Sequence, residues 1–74
     1  MRKLNVVIFG KMPIPRKECE EFLTLCGYNV QENVIETTDM LITDDVNSKS
    51  SKMLKAKKYG VDIILFHEII MRAN

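Results

Sequence analysis

The side chains in this sequence best suited to holding an anion fall into two groups. They are Gly10, Lys11 and Arg16 in the first quarter of the chain, and Lys49, Lys52 and Lys55 in the second half. Gly10 ends the apolar run Leu4-Asn5-Val6-Val7-Ile8-Phe9, and without a Cβ it lets a ligand approach backbone N–H groups closely. A helix opening near Pro15 points free N–H groups and its positive dipole end toward the same place. Arg16, in that first turn, offers a two-pronged fork that matches phosphate oxygens. Lys52 opens a second helix, which in a parallel sheet rises from the same edge. Lys49, Lys52 and Lys55 stand at i, i+3 and i+6, close to one helical face. Each residue also has a plainer reading. Gly10 serves a tight turn, Arg16 pairs with Glu20 one turn on, and the lysines form a solvated face.

Other chemistry is poorly served. His67 has no serine or cysteine motif beside it, and Gly10-Lys11 lacks the GxxxxGK[ST] spacing of a P-loop. Asp44-Asp45 lacks the second half of a calcium-loop pattern and reads as a solvated loop. Two cysteines and one histidine with no CxxC make zinc a poor fit, and no cofactor is expected. Cys19 and Cys26 are seven apart on one expected helix, a rise of roughly 10 Å. That exceeds the reach of a disulfide. Two free thiols indicate a reducing compartment, the bacterial or viral cytoplasm or the nucleus, and not a secreted protein. No apolar run approaches the ~20 residues a bilayer requires. The run after Arg2-Lys3 is too short for a signal peptide.

A chain of 74 residues with 46% hydrophobic content reads as one small domain, 1–74, with little room to wall off a catalytic pocket. A binding surface is the expectation, with no membrane and no small-molecule substrate. The formal charge of +1 supplies no global field. Its distribution is uneven. Residues 49–58 hold five lysines and no acid, whereas residues 32–45 hold five acids and no base.

The elements that must position these residues follow from periodicity. Residues 4–9, β-branched and almost continuously apolar, read as a strand buried on both faces. Cys19, Phe22, Leu23 and Cys26 form the apolar stripe of a helix that Gly27 stops. Tyr28-Asn29-Val30 reads as a short strand, residues 31–38 as polar, and Met40-Leu41-Ile42-Thr43 as a buried strand. Serines ending the Asp44–Ser51 loop are able to cap a helix from Ser51 to Tyr59, with Met53 and Ala56 inward. Val61 to Leu65 is the last strand. His67 to Ala73 is the last helix, with Ile69, Ile70 and Ala73 packing. Phe9 packs into the core or against that helix, and Thr37 and Thr38 bond locally. The order β-α-β-β-α-β-α is that of a three-layer α/β fold.

Three stretches together resemble a BRCT domain, closest to the single module of NAD-dependent bacterial DNA ligases and of the replication factor C large subunit. They are Val6 to Gly10 with Arg16 and Leu25 to Val30; Val34 to Ile42 with its Thr37-Thr38; and Ser51 to Ile64. The resemblance covers about residues 4–72. It implies a four-stranded parallel sheet in the order 2-1-3-4 flanked by three helices. It also implies a non-catalytic recognition module of DNA replication or repair. Gly10, Arg16 and Lys52 match three of the four phosphate-contacting positions of the DNA-end-binding subgroup. The fourth, usually Ser or Thr, is Phe9 here, and the usual Gly-Gly after the first helix is Gly27-Tyr28. The expected partner is DNA, a 5′-phosphate end or the duplex backbone, bound weakly by the isolated domain. The alternative is a repair or replication protein, held as by an adaptor through Met12, Ile14 and Met71, or read as a phosphopeptide. On the first reading, Lys52→Ala weakens DNA binding without lowering stability.

Overall fold

The computed structural model describes residues 3–73, the side chain of Ala73 excepted, so the packing expected of Ala73 lies outside the described residues. Seven elements follow one another: β1 (Asn5–Phe9), α1 (Arg16–Leu25), β2 (Asn29–Gln31), β3 (Met40–Thr43), α2 (Ser51–Lys58), β4 (Asp62–Leu65) and α3 (Phe66–Ala73). The strands pair in parallel in the order β2-β1-β3-β4. This is the expected topology.

The alternation of each strand divides the core into two layers. Val6, Ile8, Met40, Ile42 and Ile64 meet Cys19 and Leu23 of α1 and Phe66 and Ile69 of α3. Val7 and Leu41 face the other way, onto Met53 and Ala56 of α2 with Val61 and Val34. Strands covered on both faces need apolar residues at every position, hence the unbroken runs at Val6–Ile8 and Met40–Ile42. Phe66 meets Phe22 edge-on, ring centres 6.2 Å apart, and ties α3 to α1.

Local chemistry sets the ends. Gly27 (φ +95°) closes α1, its N–H reaching the Thr24 carbonyl while Tyr28 N–H reaches that of Leu23. Only a left-handed residue allows that pair of bonds, and Gly60 closes α2 in the same way. The Ser50 hydroxyl caps α2 by accepting from Met53 N–H.

Three expectations need correction. Cys26 is exposed, because the helix ends at Leu25 and Cys26 is its C-cap, beyond the buried stripe. Cys19 is fully buried, and that burial pushes its thiol pKa up against the smaller downward pull of Arg16. Ile70 is 38% exposed, since the buried residues among the described side chains of α3 are Phe66 and Ile69. Residues 31–38 are not simply polar: no helix links β2 to β3, and Val34 from this loop shares the core with Met53.

The same loop is held by Thr38. Its hydroxyl donates to Gln31 Oε1 (2.7 Å) and accepts from Ile35 N–H (3.0 Å) at 6% exposure. Thr38→Val keeps the shape and strips both bonds, which costs about 1–2 kcal/mol for groups left unpaired. A urea melt is expected to show its midpoint lowered by about 1 M. An unchanged midpoint would mean the loop is held by Val34 alone.

Candidate functional site

All four strands run the same way, so Gly10, the start of α1, the 44–50 loop and the start of α2 gather at one edge of the sheet. This is the edge at which open parallel sheets carry ligand sites. The register fixes who meets whom there. Phe9 pairs with Thr43, so the residues that follow, Gly10 and Asp44, leave the sheet side by side.

Gly10 has φ +94°, and a Cβ built on it would overlap the Asp44 carboxylate. The tight turn and the close approach are therefore both real. The group that approaches is this chain's own acid. Asp44 is exposed in the loop after β3, as the sequence indicates, but its contact with Gly10 is not evident there. The missing signal was the β1–β3 register, which places the first residue after each strand in contact.

Arg16 neither stands free nor pairs with Glu20. Its guanidinium donates to the Ile8 carbonyl at 2.7 Å, folding back onto the end of β1. Pro15 is the N-cap of α1 and, with no polar side chain, caps none of the first-turn N–H groups. Lys11 is exposed in the turn between Gly10 and the helix. Phe9 is half-buried and packs against the α2-side core, not against the last helix.

Lys52 also reaches a backbone carbonyl, that of Glu32 at 3.2 Å, and links α2 to the β2–β3 loop. Arg16 and Lys52 thus begin on opposite faces of the sheet and spend their charged ends on different carbonyls. Lys52→Ala would remove this exposed link between α2 and the β2–β3 loop. Lys49 precedes α2, so the helical spacing that grouped it with Lys52 and Lys55 does not apply. Lys49 and Lys55 are both exposed, and α2 itself (SKMLKAKK) carries four lysines and no acid. Lys58 lies over the Tyr59 ring, 5.8 Å from its centre.

Below the same edge, between the β1–α1 turn and α3, lies an apolar cleft of about 210 Å³ lined by Pro13, Ile14, Phe22, Phe66 and Ile70. A second recess of about 210 Å³ continues it past Leu65 and His67 to Asp44. Of the three residues expected to form an apolar patch, Met12 is half-buried against the core. Ile14 and Met71 are exposed, at 36% and 71%. His67 is exposed, and among the described residues no cluster of metal-binding side chains occurs.

The family model described as "BRCA1 C Terminus (BRCT) domain" matches residues 1–70. The chain is 31% identical over 68 residues to a protein named DNA ligase from Helicobacter pylori (strain Shi470), covering 92% of this chain and 10% of that protein. It is 30% identical over 70 residues to the DNA ligase of Thermodesulfovibrio yellowstonii, covering 95% of this chain and 10% of that protein. The chain therefore spans about a tenth of the length of the curated relatives it matches. No helix among the described residues is long and apolar enough to cross a membrane. With its sheet order, its three helices and a family match over almost its whole length, the chain belongs to the BRCT family.

Proposed function

We propose that residues 1–74 form a non-catalytic recognition module of DNA replication or repair that adds contacts to the phosphodiester backbone of duplex DNA. The observation that carries this reading is α2, a helix with four lysines and no acid whose Lys55 stands exposed, with Lys49 exposed just ahead of it. Such a surface neutralises backbone phosphates without reading sequence. Lys11, exposed at the neighbouring strand end, extends it, whereas Arg16 is engaged with the Ile8 carbonyl and the Asp44 carboxylate fills the space beside Gly10. The relatives named DNA ligase support the setting, while ligation itself is an activity of those far longer proteins. A few phosphate contacts give modest affinity, and tethering to other DNA-binding parts would supply the rest.

A second reading, a protein adaptor, draws on the apolar cleft of Pro13, Ile14, Phe22, Phe66 and Ile70. An NMR titration with a short duplex lacking terminal phosphates separates the two. Under the backbone reading, amide shifts cluster at residues 49–58 and at Lys11 and fade as salt rises. An unchanged spectrum at low salt would sink that reading and leave the cleft as the interaction surface.

A further inference from the structure

We infer that the end of α2 carries a stacking site for an unpaired base, so that the domain grips DNA best where a single strand leaves the duplex. The inference rests on the reading of α2 as a phosphate-binding helix and adds a second kind of contact to it. Tyr59 follows α2 directly as its C-cap, and its N–H still bonds to the Lys55 carbonyl at 3.0 Å. Lys52, Lys55 and Tyr59 therefore stand at i, i+3 and i+7, along one side of the helix. That side runs beside the β2–β3 loop, to which Lys52 is joined through the Glu32 carbonyl. Between the loop and the helix end lies an open recess of about 400 Å³ lined by Ile35, Glu36, Thr37 and Tyr59.

Both walls of the recess present apolar surface to solvent, Ile35 at 47% exposure and Tyr59 at 40%. The loop wall is held in place. Ile35 N–H donates to the Thr38 hydroxyl and its carbonyl accepts from Thr38 N–H, each at 3.0 Å, while Val34 before it is buried with Met53 of α2. An aromatic ring beside lysines is the combination that holds single strands, since every base has a face to stack and every linkage a charge to meet. The Lys58 ammonium lies over the Tyr59 ring, 5.8 Å from its centre, which leaves one face for a base and sets a cation near the adjoining phosphate. Glu36 gives the recess its direction. Its carboxylate repels phosphate and, as an acceptor only, suits the amino edge of a base such as cytosine. The base thus enters the recess and the backbone stays along Lys55 and Lys58.

The test uses fluorescence anisotropy at low salt with a blunt duplex, the same duplex bearing a short deoxycytidine overhang, and the same overhang made abasic. The abasic strand keeps the phosphates and lacks the bases. Wild type is expected to bind the deoxycytidine overhang about fivefold more tightly than the abasic one, the lower end of what stacking one base on an aromatic residue contributes. Tyr59→Ala is expected to bind the two overhangs equally, its affinity for the blunt duplex changing less than about twofold. Tyr59→Phe, which keeps the ring, is expected to retain the preference. Tyr59→Leu, which keeps the bulk without the flat face, replaces the alanine variant should that one fold poorly. Equal binding of the two overhangs by wild type would overturn the assignment. So would a preference that survives Tyr59→Ala or vanishes in Tyr59→Phe. A wild type that leaves the blunt duplex unbound yet prefers the deoxycytidine overhang would overturn the duplex reading alone, and one that binds none of the three DNAs would overturn both.

Discussion

Replacing Leu41 by alanine is expected to cost about 4 kcal/mol and to leave the domain partly unfolded at room temperature. Leu41 is fully buried in β3, the strand hydrogen-bonded to both β1 and β4. It fills the layer between Val7, Val34 and the Met53 and Ala56 of α2. Removing three carbons there forfeits their transfer energy and opens a cavity that paired strands cannot close, hence the upper part of the usual 2–5 kcal/mol range. A 74-residue domain holds only about 4–11 kcal/mol in total. Differential scanning calorimetry is expected to place the midpoint about 15–30 °C lower. Leu54→Ala is the control. Leu54 belongs to the same helix α2 but is 58% exposed, so its truncation should fall within ~0.5 kcal/mol of wild type. If the two variants lose comparable stability, α2 packs otherwise than described.

What the sequence disclosed and what it hid divide along a physical line. Strand interiors and helix stops were legible because their causes are local. Val6–Ile8 must be apolar at every position if both faces are covered, and Gly27 and Gly60 mark helix ends by the one conformation those ends require. Met40–Thr43 was placed to the residue for the same reason. The strand order came from the family resemblance, since periodicity alone does not say which strands are neighbours.

The site was less legible, because its features depend on residues far apart in sequence. Asp44 meets Gly10 only through the pairing of Phe9 with Thr43. Lys52 looks like any first-turn lysine until the β2–β3 loop brings the Glu32 carbonyl within 3.2 Å. Arg16 had a partner in the sequence, Glu20, one helical turn away. It donates instead to the carbonyl of Ile8, one residue past Val7, where the pairing of β1 with β2 stops. Charge composition predicted a basic segment correctly, but not which of its lysines are committed to the fold.

That last distinction selects the variant with the largest expected effect on DNA binding. Lys52 holds the loop and Lys58 lies over Tyr59, so changing either one mixes binding with structure. Lys49 and Lys55 are exposed, and neither side chain makes a bond of the fold among the described residues, so the Lys49→Ala/Lys55→Ala double variant should keep its unfolding free energy within the few tenths of a kcal/mol that one lysine near a helix C-terminus contributes. Each phosphate contact on duplex DNA adds about 0.9 to the slope of log K against log salt. Near 0.1 M salt that slope corresponds to roughly eightfold in affinity per contact relative to 1 M. Losing two contacts therefore predicts about 60-fold weaker binding of an unphosphorylated duplex and a slope shallower by about 1.8. The slope is the more telling number, because a lost apolar contact would weaken binding without changing it. Affinity measured at several salt concentrations on both proteins decides the matter. Parallel lines would mean that neither lysine touches a phosphate, and the basic helix would then be a solvated face beside an interface located elsewhere on the domain.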